Sequence, residues 1–331
     1  MNISRFLLAA LLTLSAPLSA PAQDKVPLQR FDGANAWLNS PPLGAAELRG
    51  KVVLVDFWTY TCINWLRTLP HVRAWADKYK DQGLVVIGAH TPEFDFEKNV
   101  DNVRRAVSDM RVTYPVAIDS DYALWRAFSN NAWPAIYLID ARGRVRYTHL
   151  GEGEYERTER MIQQLLAESG PAGVPRDLVS PDGRGAEAAA DWTSLKSRET
   201  YLSDERTENR VDAAATRLRL NQWTASGDWM AKKDAIVLNK PNGRIAYRFH
   251  ARDVHLVMGP ALPGKTVGFR VLIDGKPPGA AHGVDTDAQG NGTVSEQRLY
   301  QLIRQPNSIV DRLFEIEFID PGVEAFAFTF G

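Results

Sequence analysis

From Lys51 the chain reads Lys-Val-Val-Leu-Val-Asp-Phe-Trp, a nearly unbroken apolar run rich in β-branched residues. That pattern predicts a strand covered on both faces, because a half-exposed strand would alternate polar and apolar positions. Just beyond it, Leu66, Leu69, Val72, Trp75 and Ala76 recur at three- and four-residue steps. They predict a helix with one apolar stripe turned toward the sheet. Pro70 falls inside this helix and, lacking an N–H, predicts a kink. The alternation continues with a strand over 84–89, a helix carrying Val100, Val103 and Val107, a strand over 116–118 and a helix over 121–128. A strand over 135–140, an Ala-Arg-Gly-Arg turn and a hairpin partner over 145–149 follow, and Met161, Ile162, Leu165 and Leu166 mark a closing helix. Strands alternating with helices and ending in a hairpin predict a mixed sheet with helices on both faces, an α/β layer.

The pattern changes beyond Trp192. Short strands predicted over 244–249, 254–258, 267–273, 314–319 and 325–330 are separated by Asn-Gly, Asp-Gly and Pro-Gly turns, which argues an all-β sandwich. Between them lies a stretch with many turn formers, including Ser-Gly-Pro-Ala-Gly-Val-Pro and Ser-Pro-Asp-Gly-Arg-Gly. The expected organisation is an α/β domain over 23–168, a linker over 169–192 and a β-sandwich over 193–331. Roughly 300 residues exceed the usual single core, which also favours two domains.

Residues 1–22 read as a secretory signal: Arg5 precedes the apolar run 6–14, and Ala20-Pro21-Ala22 supplies a small-x-small cleavage pattern. The expected location is periplasmic or secreted, with no lipid or membrane anchor. The 39 basic and 40 acidic residues give no global field for nucleic acid or an anionic membrane, so neither is an expected partner. Cys62 is the one cysteine in 331 residues, so the chain forms no internal disulfide although an exported protein could.

Asp56-Phe57-Trp58, Cys62 six residues after the Asp, Pro70 eight after the Cys, and Trp133-Pro134-Ala135 opening a late strand together resemble the thioredoxin superfamily. The longer runs Phe-Trp-Thr-Tyr-Thr-Cys-Ile-Asn and His-Thr-Pro-Glu-Phe look like the periplasmic redoxins represented by the exported part of DipZ-type proteins. The resemblance continues through Ala-Tyr-Arg-Phe-His-Ala-Arg-Asp-Val-His-Leu and the final Ala-Phe-Thr-Phe-Gly. It implies a thioredoxin fold followed by a jelly roll similar to carbohydrate-binding modules, thiol-disulfide exchange as the activity, no cofactor, and envelope proteins with cysteines or disulfides as partners, with a glycan as a further ligand. One departure dominates: Trp65 stands where the family has its second cysteine. A lone thiol forms a mixed disulfide but cannot close its own.

Cys62 is expected in the first turn of a helix, where unpaired amides and the helix dipole favour thiolate and modestly lower the pKa. Asp56, inside an apolar strand, is expected to have a raised pKa and is either a proton relay or a buried acid satisfied by water, since in the family the matching Asp serves the missing cysteine. Pro134 resembles the cis-proline facing the thiol, which would leave backbone groups free for a substrate strand. Trp58, Trp65 and Trp133 are candidates for substrate contact. Two other readings compete: a binding protein that kept the fold and lost the redox cycle, and a peroxidase suggested by Thr59 three residues before Cys62, against which Val55 replaces the pattern's proline. Asp285, Asp287 and Glu296 superficially match a calcium loop, and His250 and His255 are a weak metal pair. Trp223, Trp229 and Tyr300 could form a sugar platform.

Overall fold

The computed structural model describes residues 28–170, 173–203, 205–306 and 308–331; the secretory signal read over 1–22 lies outside them. The first sheet contains β1 (Ala36–Leu38), β2 (Val52–Trp58), β3 (Leu84–His90), β4 (Val116–Ile118), β5 (Ala135–Ile139) and β6 (Val145–Leu150), in the order β1-β4-β3-β2-β5-β6. β2 pairs parallel with β3 and antiparallel with β5. It is central and buried at every position, so its apolar run has no polar alternation. α1 (Ala45–Leu48), α2 (Ile63–Tyr79), α3 (Val100–Asp109), α4 (Ala123–Ala127) and α5 (Tyr155–Ser169) complete the layer. On one face Leu54, Trp65, Leu69, Trp75 and Ile162 share a core; on the other Val53, Val55, Phe57 and Leu124 form a second. α2 continues through Pro70 and ends only at Tyr79. This is the thioredoxin fold.

The second region is a sandwich of two antiparallel sheets. Its strands are β7 (Thr200–Tyr201), β8 (Trp223–Ser226), β9 (Trp229–Ala231), β10 (Ile236–Leu238), β11 (Gly243–Phe249), β12 (Asp253–Pro260), β13 (Val267–Ile273), β14 (Asn291–Val294), β15 (Arg298–Arg304), β16 (Arg312–Phe318) and β17 (Val323–Phe330). One sheet runs β15-β12-β17-β10-β9 with β7 beside β17; the other runs β14-β13-β16-β11-β8. Leu256, Met258, Phe328, Tyr247, Phe269 and Phe314 fill the space between them.

The outer face of the first of these sheets is also covered. Val257, Leu299, Phe326 and Ala327 belong to the same apolar cluster as Trp58 and Trp65 of the first domain, which is why β12 is buried at every residue. Phe326 packs against Phe94 and Phe96 at ring distances of 5.2 and 4.8 Å. From α2, the buried Arg67 donates to the Phe330 carbonyl at 3.0 Å and pairs with Glu152 at 3.4 Å. The segment read as a linker is fastened to both sides: Arg73 grips Glu187 through two bonds of 2.9 and 2.6 Å, and Arg304 and Arg252 donate to the carbonyls of Gly185 and Ala189.

Two weaker sequence readings of the sandwich, a calcium loop and a sugar platform, find no converging side chains among the described residues. Asp285 is held by Arg298 and the Gln301 amide, Asp287 closes its own turn by accepting from the Gln289 and Asn291 amides, and Glu296 pairs with Arg105. These carboxylates are spent separately on a β-turn and two ion pairs, so they make no calcium loop. Among the described residues no group of three or more His, Cys, Asp or Glu converges as a metal site; His250 faces Asp311 and His255 lies buried against the Thr329 carbonyl. Trp223 and Tyr300 are fully buried in the sandwich core and Trp229 is half-buried, so these three rings present no shared sugar platform.

Candidate active site

β2 ends at Trp58, and the chain turns through 59–61 to start α2. Cys62 is the N-cap of that helix: its amide donates to the Thr59 carbonyl and its own carbonyl accepts the Leu66 amide. Being the residue before the first helical one, it faces amides that have no partner inside the helix. The N–H groups of Trp65 and Asn64 reach toward the sulfur and favour thiolate.

Their effect is overridden. Cys62 is half-buried, and its pKa is pushed well above the ordinary thiol value, first by the protein packed around the sulfur, then by the carboxylates of Glu199 and Glu93. The modest lowering expected from the helix terminus is therefore reversed. The reason is tertiary, because Glu199 arrives from the second domain, where β7 sets side chains alternately to its two faces. Thr200 turns inward, its hydroxyl 2.8 Å from that of Tyr247, while Tyr201 donates to Glu93 at 2.5 Å. Arg206 also donates to Glu93, at 3.0 Å, and lies 3.3 Å from the Tyr201 ring centre.

Trp65 faces the other way. It is fully buried, stacks on Trp58 at 4.1 Å with planes 22° apart, and donates its indole N–H to Asp56 at 2.9 Å. Burial raises Asp56 from 3.8 to about 7, opposed by the Trp65 bond. Its second oxygen has no partner among the described residues. Trp58 and Trp65 are thus core residues and offer no surface to a substrate. Asp56 is a neighbour of Trp65, in the position where the resemblance had it serving a cysteine. Gly88 on β3 makes room for the pair, since a Cβ there would sit 2.7 Å from the Trp58 indole nitrogen.

The Trp133–Pro134 peptide is cis. Because Phe57 pairs with Ala135, Pro134 lies beside the end of β2, and its carbonyl accepts the Gly151 amide at 2.8 Å. Trp133 is half-buried, donates to the Thr91 carbonyl at 3.0 Å and packs on Trp125 at 4.3 Å. Thr59 and Val55, the residues behind the peroxidase reading, are both fully buried, Val55 within β2.

Sequence reasoning missed Glu93, Glu97, Glu199 and Tyr201. Glu97 is fully buried, accepts four hydrogen bonds, and is raised by that burial to about 7. One local signal existed: a Glu three positions after Phe94, able to return to the amide that opens a short helical turn, as it does at 2.9 Å. For Glu199 and Tyr201 no local signal exists.

A thioredoxin fold with a cysteine at the start of the helix that follows its central strand defines a thiol-disulfide oxidoreductase-like protein. Comparison with known proteins agrees. Residues 21–166 match the family described as Redoxin and residues 195–331 that described as Thioredoxin like C-terminal domain. Protein DipZ of Mycobacterium tuberculosis is 38% identical over 263 residues, which are 74% of this chain and 36% of DipZ; the chain thus spans about a third of that relative. Thiol-disulfide oxidoreductase YkuV of Bacillus subtilis is 30% identical over 143 residues, 43% of this chain and 96% of YkuV. A solution structure of a thioredoxin-like protein in the oxidized form aligns with 31% identity and a TM-score of 0.38, over 40% of this chain and 90% of that one. The chain belongs to the thioredoxin-like redoxin family.

Proposed function

We propose that this is an exported thioredoxin-like protein that exchanges disulfides through Cys62 alone, acting on envelope proteins that carry cysteines or disulfides. The Cys62 thiol loses its proton to solvent, the thiolate attacks one sulfur of a substrate disulfide, and the second substrate sulfur leaves as a thiolate. The mixed disulfide is resolved when another thiolate, from the substrate or a partner, attacks it and releases Cys62. No net oxidation occurs when both sulfurs return to the substrate, which suits disulfide rearrangement. The observation that carries this reading is the split of the motif: Cys62 is half-buried at the helix start, while Trp65, in the second cysteine's position, is sealed in the core.

The test is intact mass after incubation with a neutral small disulfide. One adduct on the wild type, absent from Cys62→Ser and removed by added thiol, is the expected result. An unmodified wild-type protein at every pH up to about 10 would overturn it. One observation favours the alternative, a binding protein with a silent thiol: the pKa of Cys62 is raised, so little thiolate forms at neutral pH. An inert thiol in the same measurement would support that alternative.

A further inference from the structure

We propose that Glu97 is a positioning residue for Cys62, a latch that ties the loop bearing the thiol to the loop held by the second domain. The role rests on the exchange reading for its purpose, but it is visible in geometry that does not depend on it.

The carboxylate of Glu97 is fully buried, and among the described residues no Lys, Arg or His pairs with it. A buried acid without a cation is costly unless donors surround it. Four do, from two loops only. One oxygen accepts the hydroxyl and the amide of Thr61 at 2.7 and 3.3 Å; the other accepts the amides of Glu93 and Phe94 at 2.7 and 2.9 Å. Thr61 immediately precedes Cys62. Glu93 is the residue whose own carboxylate takes Tyr201 and Arg206 from the second domain. The thiol is thereby linked, through Thr61, Glu97 and Glu93, to the edge of the sandwich. An apolar side chain would fill the same volume without the desolvation cost. What Glu97 adds is a fixed separation between the Cys62 loop and the 93–94 loop.

The charged and polar groups that act on the sulfur are Glu199 and Glu93 on one side and the amides of Asn64 and Trp65 on the other. Releasing the latch lets the 59–62 loop move out of this enclosure toward water, so the thiol returns toward its ordinary titration. Glu97→Gln changes the ionisation of the site and keeps one acceptor oxygen, so the deciding variant is Thr61→Val in the full chain, which removes one bond and no titrating group. Its control is Thr61→Ser, which keeps the hydroxyl.

The measurement is the pH profile of iodoacetamide alkylation at Cys62. Thr61→Val is expected to lower the midpoint by about one pH unit and to raise the rate at pH 7 roughly tenfold, as loss of a hydrogen bond to a charged group allows. Thr61→Ser is expected to match the wild type, and Tyr201→Phe to shift the midpoint the same way by less. A general loss of stability would lower the melting temperature without moving this midpoint. The latch is overturned when Thr61→Val, folded by circular dichroism, leaves the midpoint and rate within twofold of wild type or moves them the other way. It is also overturned when Thr61→Ser behaves like Thr61→Val. Failure of the exchange reading looks different: no adduct with a disulfide, whatever the alkylation profile.

Discussion

Within one turn of α2, Cys62 and Trp65 sit in opposite environments. The partners that fix Trp65 come from the first domain: its ring lies on Trp58, its N–H is bound to Asp56, and Gly88 leaves room for Trp58. Cys62 is shaped from outside, by Glu93 and by Glu199 of the second domain. The difference separates a side sealed within one domain from a side shaped by both. On the inner side the tryptophan fills the core volume and holds Asp56 through its indole N–H. On the outer side the thiol is under control that the second domain supplies.

The largest test of that contrast is Trp65 itself. Trp65→Ala is expected to cost about 3–5 kcal/mol in denaturant unfolding, because a fully buried ring is removed and Asp56 loses its donor. Trp65→Cys shares most of that loss but rebuilds two sulfurs at the family spacing. It is expected to gain dithiol reductase activity toward insulin that the wild type lacks. A stable Trp65→Cys without that activity would mean that the outer side, with its raised thiol, blocks the cycle by itself.

A second test titrates the inner side. Asp56 is raised from 3.8 to about 7, chiefly by burial. Between those values the folded protein holds a proton that the unfolded chain has released, so this group's contribution to stability is present below about pH 4 and lost as pH rises through 7. At about 1.4 kcal/mol per pH unit the full effect is on the order of 4 kcal/mol. Asp56→Asn removes it and leaves every other titrating group in place. The variant should therefore gain on the wild type between pH 4 and pH 8, read as the difference in unfolding free energy at each pH. A constant difference would show that Asp56 stays ionised and that Trp65 alone solvates it.

Much of this was legible in the chain because it is local. The run 51–58 is apolar without alternation and became the central strand β2; the three- and four-residue spacing after it became α2, with Cys62 at its start. The hairpin strands of the sandwich follow their turn signals. Short pieces such as β1 and β9 carry too few residues for a period to register. The docked strap over 173–192 was read only as a linker, since its contacts are scattered: Val174, Val179 and Ala186 pack on the first core, and Arg73, Arg252 and Arg304 hold it from both domains. β12 could be seen as a strand, but nothing in its sequence says that the first domain covers its second face. The reversed pKa of Cys62 has the same origin. A helix start is written in neighbouring residues, whereas Glu199 is brought there by packing between domains.

A third test also falls on the inner side. A Cβ at position 88 would stand 2.7 Å from the Trp58 nitrogen and 3.1 Å from the Tyr114 ring. Both rings are buried, so Gly88→Ala must displace one of them, at about 1–3 kcal/mol. The expected signature is a change in tryptophan fluorescence with the Cys62 alkylation profile unaltered, since the disturbance falls on the inner side.

The smallest effect is expected at the domain boundary, and it decides which contacts keep Glu199 beside the thiol. Arg105 and Glu296 bridge the domains at 3.2 Å, but both side chains are 39% exposed, so water screens the pair and the expected coupling in a double-mutant cycle is below about 1 kcal/mol. Phe326, by contrast, is buried against Phe94 and Phe96, and those rings flank Glu93 and Glu97 in sequence. Breaking the ion pair with Arg105→Ala should therefore leave the Cys62 midpoint where it is, while Phe326→Ala should lower it. Were Arg105→Ala to move the midpoint as far as Phe326→Ala does, docking would be electrostatic. Control of the thiol would then weaken with rising salt, which the apolar contact predicts it does not.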